Sequence, residues 1–279
     1  MRNWFTYGLS IIWFGITSCE DTIDANLDTA PSDLLVVEGI LTNQNINHRI
    51  KLTHPHQEIN GIPVPATGAT VIIGEGSIIN DDFILNDTIP LLEFPPGSGE
   101  YYTEPFRAVF GRVYGLNIEY QGNTFFAVDT SEPAEPLPPL ILDTLDTGEV
   151  PFFRLRNSES GSQPNFINHF ITWENSPVCA FTDGCEGKVV FYDLKTVDVH
   201  QIFPPDKTDF IFPVGSVIIR SKFSVNERYR TFLRSVLSET EWRGSLFDIQ
   251  RANTPTNLSE GAIGFFAVST VVSDTTLLQ

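Results

Sequence analysis

The chain has 279 residues, with 35 acidic against 17 basic side chains and a formal net charge of −18. Such a surface is repelled by nucleic acid and anionic headgroups, which argues against both as partners. Hydrophobic content of 41% with 22 Phe excludes general disorder, and the length suits two medium domains or one large β domain.

Residues 1–18 read as a cleaved targeting segment. Arg2 supplies a positive charge, Trp4 to Phe14 is a short apolar run, and Ile16-Thr17-Ser18-Cys19 closes it with small residues and a cysteine. The run is shorter than the ~20 residues a spanning helix needs. A signal peptidase of the lipoprotein type requires a cysteine after small residues, because the thiol is acylated before cleavage. Cys19 is therefore the expected lipidation site; the alternative is an ordinary secretory signal that contains a cysteine. Residues 19–33 form an acidic tether, with Glu20, Asp21 and Asp24 behind the cysteine. As a flexible coil, such a segment spans roughly 20 Å.

Ordered structure begins with Leu34 to Leu41, a β-rich apolar run, and His48 to Thr53 alternates polar and apolar with period two. Strands are further predicted over 69–74, 99–102 and 111–120, with Gln121-Gly122-Asn123 turning the last of these back into 124–128. Short strands with Gly, Pro and Asn turns and no helical period predict an immunoglobulin-like β-sandwich over 34–130. Ser131 to Leu140 contains Pro133, Pro136, Pro138 and Pro139, an extended linker that places a domain boundary at 131–140. A second β-rich domain, 141–279, carries strands at 165–173, 188–192 and 215–223. It also carries one amphipathic helix near 224–240. There Ser224 with Glu227 makes a capping box, and Tyr229, Phe232, Leu233, Val236 and Leu237 share one face. The fold class is mainly β.

With Cys19 lipidated, Cys179 and Cys185 remain, and Asp183-Gly184 supplies a turn between them. Outside the cytoplasm such a pair is expected to form a disulfide; half of a metal site is the rival reading, without a second Cys pair or a nearby His. His54-Pro55-His56 places two imidazoles on one side of an extended segment, a geometry open to Zn²⁺ but lacking a third ligand. Two surface histidines in a hairpin loop account for it more simply. His48, His169 and His200 are isolated and expected at strand surfaces. Asp81-Asp82 and Asp143, Asp146 and Glu149 are open to Ca²⁺, with solvated acidic loops as the default. Phe94, Tyr101, Tyr102 and Phe106 surround a Pro-Pro-Gly loop, either as a ligand platform or as core. No nucleophile elbow, phosphate loop or zinc helix motif occurs in the sequence.

From Ser224 onward the features run in a distinctive order: Glu227-Arg228-Tyr229-Arg230-Thr231-Phe232-Leu233, Gly244-Ser245-Leu246-Phe247-Asp248, Ala252-Asn253-Thr254-Pro255-Thr256-Asn257 and Gly261 to Ser269. With Leu35-Val36-Val37-Glu38-Gly39, Gly68-Ala69-Thr70-Val71 and Tyr114-Leu116-Ile118, this set resembles the domain of unknown function 4249 family of Bacteroidota surface lipoproteins. Where such chains often carry a small residue before Tyr-Leu, this one reads Val113-Tyr114-Gly115-Leu116, which predicts a local bulge. The acidic cluster Glu20, Asp21, Asp24 resembles the export tag of such lipoproteins, the alternative being a linker that is merely acidic. The resemblance implies a non-catalytic lipoprotein of the outer membrane. It would be lipid-anchored through Cys19, face the exterior and act as accessory or ligand-binding partner of a TonB-dependent β-barrel transporter of the nutrient-uptake type. It attaches no catalytic residues, metal or cofactor. A hydrolase or glycan-processing enzyme built from scattered carboxylates, and an adhesin or inhibitor-like module, are the alternatives.

Overall fold

The computed structural model describes residues 34–55, 61–80, 82–145, 148, 150–157, 161–181, 184–195, 210–240 and 254–279. Cys19, Glu20, Asp21 and Asp24 lie outside the described residues, as do His56, Asp81, Asp146, Glu149 and His200. Residues 32–279 group as one compact unit. In chain order the strands are β1 (Leu35–Thr42), β2 (Arg49–Thr53), β3 (Thr70–Ile79), β4 (Asp82–Glu93), β5 (Glu100–Tyr102), β6 (Val113–Tyr120) and β7 (Asn123–Thr130). There follow β8 (Leu142–Leu145), β9 (Phe152–Leu155), β10 (Asn165–Thr172), β11 (Glu186–Asp193), β12 (Ile211–Pro213) and β13 (Val217–Ser224). Helix α1 (Glu227–Glu239), β14 (Ala262–Ser269) and β15 (Val271–Leu277) complete the described elements, and the architecture is mainly β.

The first lobe is an eight-stranded sheet in the order β14-β1-β2-β5-β4-β3-β6-β7. Period-two alternation sends Leu35, Val37 and Leu41 of β1, Val71 and Ile73 of β3, and Tyr114, Leu116 and Ile118 of β6 into one buried cluster. The sheet curls so that its two ends meet. Ala127 bridges Leu258, and Ser259 N donates to Phe126 O at 2.9 Å. A curled sheet with a single apolar interior is the near-barrel solution to covering a one-sided hydrophobic face.

β14 comes from the far side of the 131–140 segment, yet it pairs in parallel with β1 along its whole length, Leu35 opposite Ala262 through Thr42 opposite Ser269. Gly264 makes that approach possible. Its φ is +100°, and a Cβ there would run into the Val37 carbonyl. The bulge expected at Gly115 is elsewhere. Gly115 pairs regularly with Gly74 and Val128, while the register shifts between Glu75 and Gly76 against β4. Gly115 is small for another reason: the Phe83 ring covers it, 3.3 Å from where a Cβ would stand.

The second lobe stacks the antiparallel sheet β11-β10-β13-β15 on the small sheet β12-β9-β8. Ile171 and Ile218 meet Leu155 and Phe212 between the layers, beside Trp173. The opposite face of the larger sheet receives α1, whose Leu233 and Leu237 pack with Phe166 and Val225. Tyr229 and Phe232 of α1 each lie 5.0 Å from the Phe265 ring of β14, so the helix joins the lobes. The cap differs from expectation. Asn226 is the N-cap, its side chain accepting from Tyr229 N at 2.9 Å. Ser224 is the last residue of β13, and its hydroxyl accepts from Thr270 N at 2.9 Å. Strand pairing has claimed the side chain that the helix pattern seemed to offer.

The Pro-rich segment is extended and strapped down. Prolines offer carbonyls without N–H groups, and two buried cations of β13 use them: Arg220 donates to Pro138 O at 2.8 Å and Lys222 to Pro136 O at 3.2 Å. Glu135 accepts from Ser162 N, Ser162 Oγ and Gln163 N, at 2.9, 2.8 and 3.2 Å.

Candidate binding site

An open cleft of about 490 Å³ lies at the end of the second lobe. One wall is Asn175, Ser176, Pro177 and Val178, the second is Val214 and Gly215, and the third is Leu277, Leu278 and Gln279, with Val150 at the margin. Its first wall belongs to the β10–β11 connection, where Cys179 and Cys185 are joined as a disulfide with Cα atoms 5.2 Å apart. The link closes a short loop, and the backbone completes the bracing: Trp173 N donates to Cys185 O at 2.8 Å, Ser176 N to Trp173 O at 2.9 Å and Cys179 N to Ser176 O at 3.0 Å. Across the cleft Gly215 N donates to Leu278 O at 3.0 Å and Leu278 N to Ser216 O at 2.9 Å.

All three walls are thus fixed by main-chain bonds. Among the described residues the lining holds no titratable side chain, and its apolar surface is interrupted by two amides and one hydroxyl. A cleft of this size and character suits an apolar group of a small ligand or peptide, oriented by a few hydrogen bonds.

The titratable groups singled out in the sequence are dispersed. His54 Nε2 lies 3.0 Å from the Tyr120 hydroxyl. His48 and His169 are buried rather than at strand surfaces, 1% and 4% exposed. His48 Nε2 bonds Phe106 O at 3.1 Å, and His169 shares the inward face of β10 with Ile167 and Ile171. Burial, reinforced by the neighbouring Arg220 charge, lowers His169 from 6.5 to about 4. Asp143 is an ion-pair partner for Arg154 and Arg156, at 3.2 and 2.6 Å. Asp82 is exposed at the start of β4. Among the described residues, no three His, Cys, Asp or Glu side chains converge as metal ligands.

The aromatics around the Pro-Pro-Gly loop also part company. Tyr101 is buried, donating its hydroxyl proton to Ala66 O at 2.9 Å, and Phe106 packs edge-on against His48, whereas Phe94 is exposed.

One functional-looking group escaped the sequence reading. Asp129, buried at the end of β7, accepts from Asn226 Nδ2 through Oδ1 and from Val268 N through Oδ2, each at 2.8 Å. It ties β7, β14 and the cap of α1 together. Burial lifts its carboxyl from 3.8 to about 6 despite these donors. Its only sequence signal was an acid at an inward-facing strand position.

No curated protein matches this chain. A family model described as "Domain of unknown function (DUF4249)" matches residues 20–275, which takes in both lobes and the Pro-rich strap. The chain belongs to the DUF4249 family.

Proposed function

We propose that this protein is a lipid-anchored binding protein of the outer membrane surface. In this reading it is a non-catalytic accessory that presents a ligand or partner segment to a TonB-dependent transporter of the nutrient-uptake type. The immunoglobulin-like class is part of the same reading for the first lobe. The observation that carries the binding role is the cleft itself, apolar over most of its lining and braced by main-chain bonds. Anchorage rests on the run from Trp4 to Phe14 and the closing Ile16-Thr17-Ser18-Cys19; outward orientation rests on Glu20, Asp21 and Asp24.

Affinity capture of the full lipidated chain from detergent-solubilised outer membranes tests the role. A β-barrel transporter is expected in the eluate, and Val178→Asp in the cleft wall should weaken its recovery or that of its ligand. Repeated capture without any barrel protein would contradict the partnership. Replacing Glu20, Asp21 and Asp24 by Ala should leave the protein lipidated but shielded from external protease.

A further inference from the structure

We propose that the rim of the first lobe carrying Ile62, Val64, Leu92 and Phe94 is a membrane-contact surface, seated on the lipid bilayer that holds acylated Cys19. The proposal rests on the lipid-anchor reading above. These four side chains are 92%, 61%, 71% and 68% exposed, well beyond most large apolar residues of the chain. Single exposed hydrophobes are ordinary; this rim is set apart by the degree of exposure, since Ile78, Ile79, Ile84 and Leu85 at the other end of the sheet are 48%, 54%, 44% and 54% exposed.

Strand pairing gathers them. Val36, near the start of β1, pairs with Thr53 at the end of β2. Thr53 bridges Pro65, and His54 N donates to Val64 O at 2.8 Å. Leu52 is bonded on both sides, its N–H to Gly99 O and its carbonyl to Ala66 N, while Phe94 N donates to Glu100 O at 2.9 Å. The 62–66 segment and the 94–99 turn therefore flank the same rim from which β1 starts.

Two features suit this rim to a lipid interface. Glu93 is committed to the turn, with Oε1 accepting from Gly97 N and Gly99 N at 3.1 and 3.0 Å and Oε2 from Gly68 N at 3.3 Å. That fixes Phe94-Pro95-Pro96 outward. Pro63, Pro65, Pro95 and Pro96 bring no N–H groups, so less backbone polarity must be stripped of water on contact.

The occupant follows from the chain itself. Only residues 20–33 separate Cys19 from the first described residues, a segment that even fully extended reaches roughly 50 Å. The acyl chains thus hold this rim, where β1 begins, near the bilayer. With a net charge of −18 the protein has little electrostatic attraction to offer, which leaves apolar contact as the second anchoring signal. Exposed Ile79, Ile84 and Leu85 lie at the far end of the same sheet, where β3 turns into β4, and should stay in water.

The test attaches a polarity-sensitive fluorophore to Phe94→Cys, Leu92→Cys, Ile62→Cys or Ile84→Cys in the full lipidated chain. Each variant is reconstituted in zwitterionic phosphatidylethanolamine–phosphatidylcholine vesicles with and without headgroup-proximal doxyl lipid. The first three sites should shift to the blue and be quenched about twofold, as for groups roughly 5–10 Å into the headgroup region. Ile84→Cys should do neither. Water-like emission at Phe94→Cys and Ile62→Cys in an acylated protein would overturn the contact surface alone. Shifts that occur in native membranes but not in pure-lipid vesicles would also overturn it, by assigning the rim to a protein partner. An intact mass without acyl groups would overturn the anchor reading and the contact surface with it.

Discussion

The two lobes solve the same problem with different interiors. The first lobe fills a curled sheet with one apolar cluster, and its ion pairs stay outside, as with Arg49 and Glu100. The second buries Arg220, Lys222 and His169 on two adjacent strands, and uses the cations to hold a Pro-rich strap. An apolar interior draws its stability from area removed from water. A charged interior holds only while each charge keeps its partner. The first lobe should therefore respond chiefly to lost volume, with Asp129 of β7 as its buried acid, and the second to lost partners.

The largest expected effect is in the first lobe. Phe266 of β14 is fully buried, and Phe266→Ala should cost about 3–5 kcal/mol in denaturant unfolding. Because β14 reaches β1 from beyond the strap, that loss should appear as one transition for both lobes; separate unfolding of the second lobe alone would break the picture of a shared sheet. Next is Asp274→Ala, which strips Arg220 of its carboxylate and leaves it the Pro138 carbonyl. The arginine side chain is 7% exposed, so a loss of about 3 kcal/mol is expected. In the first lobe, Glu100→Ala, which leaves half-exposed Arg49 with Glu38 as its carboxylate partner, should cost under about 1 kcal/mol. Equal costs for the two would erase the contrast.

The pH dependence sharpens it further. His169 has a folded value lowered to about 4 from 6.5, so its contribution is complete above pH 6.5 and is lost as pH falls towards 4. Asp129 has a folded value raised to about 6 from 3.8, so its contribution is complete below pH 3.8 and is lost as pH rises through 6. The two oppose each other over the same window. His169→Phe should remove about 2 kcal/mol of acid destabilisation, and Asp129→Asn should make the acid loss steeper. Changes of the same sign in both variants would contradict the assignment. Asn226→Ala, which loses the α1 cap and the Asp129 link, should cost about 1–2 kcal/mol by thermal unfolding.

What was legible from the sequence follows the same division. Strands β1, β2 and β6 show their faces in plain alternation, and the helix face holds, with Leu233 and Leu237 buried. β4 was invisible because the register shift opposite Glu75 and Gly76 breaks its period, and Pro90 reads as a strand breaker. Pro90 sits opposite Ile72 of β3, but on its other flank β5 pairs only with Leu92 and Glu93, so β4 is an open edge there, where proline is tolerated. The strap looked like a free linker, since nothing local shows that cations more than 80 residues downstream reach its carbonyls. The cysteine pairing was readable from spacing, but the cleft beside it was not. Its walls come from three segments brought together by the β10–β13 and β13–β15 registers.

The central claim is that a braced binding fold is carried on a lipid. The most direct measurement is radiolabelled palmitate incorporation in the native host by the wild-type chain and by Cys19→Ala, with external protease added to intact cells. The account predicts label and surface cleavage for wild type, and no label for Cys19→Ala. An unlabelled wild-type protein, or equal label in the variant, would contradict it.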